Sequence, residues 1–207
     1  MASTCTQTTP RTRRRRADAD RSVAAILDAA VDALAIDPDV SMSEIARRAG
    51  VVRATIYVHF PTREALIAAV TNSAMAEATK QLRAAAPDQG DPADALARML
   101  AASWRTLGRY HALVGINSRL GPEHMRAVHQ PVARLVRPLL KRGQKTGAFN
   151  PDVPVEWMMT VLLELIHAAS REVTSGRLPE DKAERALITT ATGALAPPTQ
   201  RHPRRPR

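Results

Sequence analysis

The sequence predicts an all-α fold: an N-terminal three-helix domain with a helix-turn-helix, followed by a C-terminal helical bundle. Three observations predict it. Val23, Ile26, Leu27, Ala30, Val31 and Leu34 recur at the spacing of one helical face. Residues 41–60, SMSEIARRAGVVRATIYVHF, read as two short helices joined by a tight turn. No stretch of the 207 residues alternates polar and apolar as a half-buried strand would, and no internal repeat stands out.

The elements follow in order. The first helix is amphipathic and ends near Asp37-Pro38. Ser41 and Glu44 have the spacing of a capping box, so the second helix starts after Ser41. Ile45, Ala46 and Ala49 give it a narrow apolar strip, and Gly50 suits the left-handed turn that ends it. A third helix runs from Val52 to about Phe60, with Ile56 and Phe60 facing inward, and Pro61 stops it. Thr62 caps a long helix to about Ala85. Residues 87–92, PDQGDP, form a loop. Residues 92–120 read as one helix or two, broken around Gly108 to Gly115. A short helix starts at Gly121-Pro122, and a longer one spans about Pro131 to Thr146. After the turn at 147–152, helices over Pro154–Ser175 and Pro179–Leu195 close the fold.

The exposed face of the third helix carries the chemistry. A helix of this kind fits the major groove of duplex DNA. Arg53 has the donor geometry for guanine O6 and N7, and Ala54 and the Thr55 methyl suit a thymine methyl. Tyr57, His59 and Arg63 suit phosphate oxygens, which fix register without reading sequence. A two-helix corner with no nucleic-acid role is the competing reading of the pattern alone.

The runs SEIARRAGV (43–51) and TIYVHFPTREAL (55–66) closely resemble the TetR family of bacterial transcriptional regulators, over about Arg21 to Val70. The resemblance implies an all-α homodimer with a C-terminal helical ligand-binding/dimerisation bundle. It implies that Tyr57, His59 and Arg63 hold the DNA backbone and that Arg53, Ala54 and Thr55 lie on the reading surface. Three positions depart from the family pattern. Val52 replaces a capping Ser or Thr, Arg63 replaces Lys, and Val58 is apolar where a polar residue is frequent. These changes bear on the operator, not on the fold.

Charge is unevenly spread. Residues 1–22 hold six arginines against two aspartates, and residues 197–207 hold four arginines and no acid, so eight of the ten net positive charges lie at the ends. Both ends lack large apolar residues and are expected to be disordered. The expected organisation is therefore a basic arm at 1–20, a DNA-binding domain at 21–66, a ligand and dimer domain at 67–196, and a basic tail at 197–207. Arg13, Arg14, Arg15 and Arg16 precede the first helix and suit phosphate or minor-groove contacts. There is one cysteine, Cys5, and no signal-like or membrane-length apolar segment, so the expected compartment is the cytoplasm with no membrane partner.

The Pro154–Ser175 helix is apolar around most of its circumference, from Trp157 through Ile166. It needs cover on two faces, one of them supplied most simply by a second copy. The last helix offers Ala183, Ala186, Leu187, Thr190, Ala191 and Leu195 for close approach, so a homodimer through these two helices is expected. Candidate ligand-pocket residues are polar, aromatic or flexible groups on apolar helices: Met99, Trp104, Tyr110, Asn117, Arg119, Trp157, Met158, Glu164 and His167. Each of them has ordinary packing as its competing role.

No catalytic residue, metal site or cofactor is expected. The six histidines are scattered, and His124 and His129 are five apart, which does not stack ligands on one helical face. No phosphate-binding glycine loop or nucleophile elbow occurs. The expected function is a sequence-specific regulator, a repressor released from a palindromic double-stranded operator by a small-molecule inducer. The inducer comes from the family resemblance alone. The alternative is a weakly specific architectural DNA-binding protein without a ligand.

Overall fold

The computed structural model describes residues 10–118 and 122–198, with residues 10–16, 111, 112, 114, 118, 122 and 125 described in backbone alone. Among these residues all regular structure is helical: α1 (Pro10–Ile36), α2 (Met42–Arg48), α3 (Arg53–His59), α4 (Arg63–Ala84), α5 (Pro92–Gly108), α6 (His111–Ser118), α7 (Pro122–Thr146), α8 (Val155–Thr174) and α9 (Glu180–Leu195). The chain divides into two compact units, Met1–Asn72 and Ser73–Arg207. The division falls inside α4, six residues beyond the expected boundary at 66/67.

In the first unit, α1 is longer at its start than its apolar pattern requires. Residues 10–20, expected as part of a disordered arm, are helical. Composition alone misjudged this stretch: arginine and alanine are strong helix formers, and Asp18 pairs with Arg21 one turn on. The periodic face of α1 is buried as its spacing dictates, with Ile26, Ala30, Val31 and Leu34 inside. They meet Met42, Ile45 and Ala46 of α2, and the core of the unit is completed by Ile56, Phe60, Leu66 and Val70. Each of the larger side chains contributes roughly 1.5–3 kcal/mol by leaving water, and the alanines less.

The second unit is a bundle in which α8 packs on α9 and α7, and α5 packs on α7 and α9. Its main core joins Leu96, Met99 and Leu100 of α5 with Leu139 and Leu140 of α7, Met158 and Leu162 of α8, and Ala191 and Leu195 of α9. α7 is one helix, not the expected two: Pro131 and Pro138 lie inside it. Each proline removes one amide donor, yet the flanking apolar residues keep the helix packed. The α5–α6 break falls at Arg109-Tyr110, within the expected window.

Two arginines hold the α4–α5 loop. Arg98 donates to the carbonyls of Ala85, Ala86 and Gln89, and Arg142 donates to those of Pro87 and Asp88. The α7–α8 turn closes on Phe149, whose ring lies against Gly143 so tightly that a Cβ there would overlap it. The Gln144 amide donates to the carbonyls of Asn150 and Val153 at 3.0 and 2.7 Å, which fixes the same turn. No described helix is long and apolar enough to cross a membrane.

Candidate nucleic-acid interface and ligand cavity

The turn between α2 and α3 is built from local hydrogen bonds. Ser41 Oγ accepts from the Glu44 amide at 3.2 Å and starts α2. The reciprocal half of the expected capping box gives way to another arrangement. The Glu44 carboxylate turns to the guanidinium groups of Arg47 and Arg48, whose hydrogen bonds hold its pKa down at about 2. Gly50 takes φ +68°, and the amides of Gly50 and Val51 donate to the carbonyls of Arg47 and Ala46. That pair of bonds is a Schellman cap, and it aims the chain into α3.

α3 starts without a side-chain cap, because Val52 has no acceptor to offer. Ile56 and Phe60 are buried and fix its rotation. Arg53, Ala54, Tyr57 and Val58 consequently stand on the outer side, while Thr55 and His59 are half-buried at its edges. The Arg53 guanidinium lies over the Tyr57 ring, 5.6 Å from its centroid. Ala54 and Val58, four residues apart, form the ridge opposite Ile56, and Val58 is 77% exposed. Val58 is the residue of this face that sequence reasoning missed. It was read as a departure from a family pattern, although its spacing from Ala54 already put both on one line.

Arg63 departs from its expected role. It is half-buried, and its guanidinium donates to the carbonyls of Pro38 and Val40 in the α1–α2 turn. It therefore ties the start of α4 to that turn, instead of presenting a free fork to phosphate. The planar fork reaches both carbonyls from two separate nitrogens, a fixed geometry that the single ammonium of a lysine lacks. Arg13, Arg14, Arg15 and Arg16 lie where only the α1 backbone is described, so their side chains fall outside the described residues, as do the terminal arginines of 201–207.

The second unit contains a cavity of about 370 Å³ between α4, α5, α7 and α8. Its apolar walls include Leu96, Met99, Leu100, Met159, Leu163 and Ile166. Polar groups come chiefly from one stripe of α7: Arg126, His129, Gln130 and Arg137. Arg137 is bound by Glu156, with Nε and Nη2 at 2.7 and 3.0 Å from the two carboxylate oxygens. That pairing holds the Glu156 pKa below the usual carboxylate range.

Of the pocket residues expected from sequence, Met99 lines this cavity. Trp104 and Met158 are core residues, Trp104 packing with Ala183 and Leu187. Trp157 (61% exposed) and Glu164 face outward, because they sit on the side of α8 opposite Met158 and Leu162. Tyr110 lies at the α5–α6 junction beneath Arg109. Asn117 is buried, with its Oδ1 3.4 Å from His124 Nε2. His167 lies behind the cavity wall, edge-on to His129 at 5.5 Å, and its pKa is pushed down to about 4, first by burial and then by His129 and Arg171. Arg119 lies outside the described residues. Sequence reasoning missed the α7 stripe. Its signal was present, since Arg126, His129, Gln130, Ala133 and Arg137 are spaced 0, 3, 4, 7 and 11 along one face. Reading Pro131 as a helix start cut that face in two.

A cationic, aromatic helix backed by a packed three-helix unit, joined through one continuous helix to a bundle with an internal cavity, defines a helix-turn-helix DNA-binding regulator. The comparisons name the family. Residues 26–70 match the family model of bacterial regulatory proteins, tetR family. The likeness places a tetR-type DNA-binding domain at residues 26–70 and supports a DNA-binding transcriptional regulator. It is 27% identical over 177 residues to the HTH-type transcriptional repressor LfrR of Mycolicibacterium smegmatis, covering 85% of this chain and 91% of that protein. The fold resembles the crystal structure of LfrR in complex with proflavine, with a TM-score of 0.67 at 23% identity over 86% of this chain and 99% of that one. It also resembles the fatty acid degradation regulator FadR from Bacillus halodurans, with a TM-score of 0.69 at 20% identity over 83% and 98% of the two chains.

Proposed function

We propose that this protein is a cytoplasmic, homodimeric repressor that grips a palindromic operator and releases it when a small molecule fills the cavity of the second unit. The observation that carries the DNA half is the outer face of α3. Arg53, Ala54, Tyr57 and Val58 are exposed on a helix whose other side is anchored by Ile56 and Phe60. In this reading Arg53 donates to a guanine edge, and Ala54, Thr55 and Val58 pack against thymine methyl groups. Tyr57 and His59 hold phosphate, and the arginines at 13–16 add a sequence-independent attraction.

The dimer face is assigned to the outer sides of α8 and α9. Trp157, 61% exposed on the outer side of α8, is a large apolar group that a second copy would cover. On α9 the expected stripe divides. Ala183, Leu187, Ala191 and Leu195 serve the bundle's own core, which leaves Ala186 and Thr190 outside for close approach. The cavity supports the ligand half, since its volume and apolar walls suit a small molecule. LfrR, crystallised with proflavine, supports the same reading by likeness. Release follows if the ligand binds better to the conformation with the wrong α3 spacing. α4 is the natural transmitter, being one helix that belongs to both units. No catalytic step is assigned to any residue.

The test is an operator selection from random duplexes, followed by footprinting. The wild-type protein should protect one palindrome with two half-sites. Arg53→Ala should lose about 1–3 kcal/mol of discrimination at one guanine in each half-site. Binding indifferent to sequence would instead make the protein architectural.

A further inference from the structure

The cavity is polarised along its length. α7 and α8 run antiparallel, as two cross-pairings show: Arg137 with Glu156, and His129 with His167. The Arg137–Glu156 bridge marks one end of the cavity. Arg126 lies eleven residues earlier on α7, about 16 Å away at 1.5 Å per residue. His129 and Gln130, within about one turn of Arg126 on α7, also line the cavity, as does Ser103 of α5. The stretch between the two ends is walled by leucine, methionine, valine and isoleucine side chains.

The charges at the two ends differ in kind. Glu156 is the one carboxylate among the lining residues, and both its oxygens are taken by Arg137. That end is internally neutral. At the other end Arg126 contributes a guanidinium, and among the described residues no acidic side chain lines the cavity beside it. His167, behind this wall, stays neutral at physiological pH because burial disfavours its charged form. An elongated apolar space with a cation and hydrogen-bonding groups at one end, and a closed ion pair at the other, complements a molecule with one anionic head and an apolar tail.

Resting on the ligand-responsive reading above, we infer that the effector class is an amphipathic monoanion whose carboxylate sits between Arg126 and Gln130 and whose tail runs toward the Arg137–Glu156 bridge. Arg126 is then the residue that selects the head group.

The test uses the full chain and three probes with one tail and three heads: dodecanoate, dodecanol and dodecyltrimethylammonium, each below its micelle concentration, titrated calorimetrically. Dodecanoate should bind about tenfold tighter than dodecanol, the size of one charge-assisted hydrogen bond, with the ammonium weakest. Arg126→Gln, an exposed and structurally mild change, should bring dodecanoate level with dodecanol and leave dodecanol itself unmoved. Equal binding of all three heads, tighter binding of the ammonium, or an unaltered dodecanoate preference in Arg126→Gln overturns the inference and leaves the cavity as a ligand site. Failure of all three to bind removes the ligand reading, and this inference with it.

Discussion

Arg63 was read from the chain as a phosphate contact, yet its side chain is committed to the carbonyls of Pro38 and Val40. No pattern in the sequence exposes that, because a carbonyl twenty-odd residues away becomes a partner only once α1 has turned into α2. Arg63→Lys retains charge but loses the two-nitrogen fork that reaches both carbonyls, so it should lower the melting temperature of the protein while keeping the salt dependence of DNA binding. A salt slope reduced by about one, with stability unchanged, would return Arg63 to the phosphate backbone. Arg53, Ala54 and Tyr57, by contrast, could be placed from the chain by their spacing from Ile56 and Phe60, since a helix leaves only one outer side.

His167 makes a second prediction at the same scale. Its folded pKa is about 4, against an ordinary value of 6.5, so between those values the unfolded chain binds a proton that the folded chain refuses. Stability should be intact above pH 6.5 and fall as the pH drops toward 4, by roughly 3 kcal/mol from this group. Urea titrations across that window should show a shallower decline for His167→Gln than for the wild type. Parallel declines would mean that other groups carry the acid sensitivity. The burial behind this shift was not legible in sequence, where His167 looked like a group aimed into a pocket.

At the scale of elements, the helices were legible wherever a capping or breaking residue coincided with an apolar period. α2 shows this with Ser41 and Gly50, and α5 with Asp91 and Pro92, where the Asp91 carboxylate accepts from the amides of Ala93 and Asp94. The reading failed where composition or a single residue was allowed to outweigh periodicity. The arginine-rich run at 10–20 is helical, and Pro131 sits inside α7. The second of these failures also hid the cavity's polar stripe. The α7–α8 turn gives the sharpest element-level prediction. Gly143 is required because the Phe149 ring occupies the place of its Cβ. Gly143→Ala should destabilise the bundle by about 1–3 kcal/mol through overpacking, although alanine favours helix. Phe149→Leu should relieve part of that loss when combined with it. Additive losses in the double variant would show that the two sites do not share the strain.

For the whole molecule, an all-helical fold and a helix-turn-helix were legible because local hydrogen-bonding signals and the hydrophobic period agree along most of the chain. The location of the cavity was not, because it depends on which faces of α5, α7 and α8 meet. The proposed repressor adds one geometric requirement to the fold: two copies must present α3 to successive major grooves. In that proposal Trp157, exposed on α8, is covered by the second copy.

The most direct measurement is sedimentation of the protein on its selected operator, repeated on a duplex with half a helical turn, about five base pairs, inserted between the half-sites. The account predicts two protomers on the native palindrome and a collapse of affinity on the lengthened one. A single protomer bound at full affinity, or equal binding to both duplexes, would contradict it.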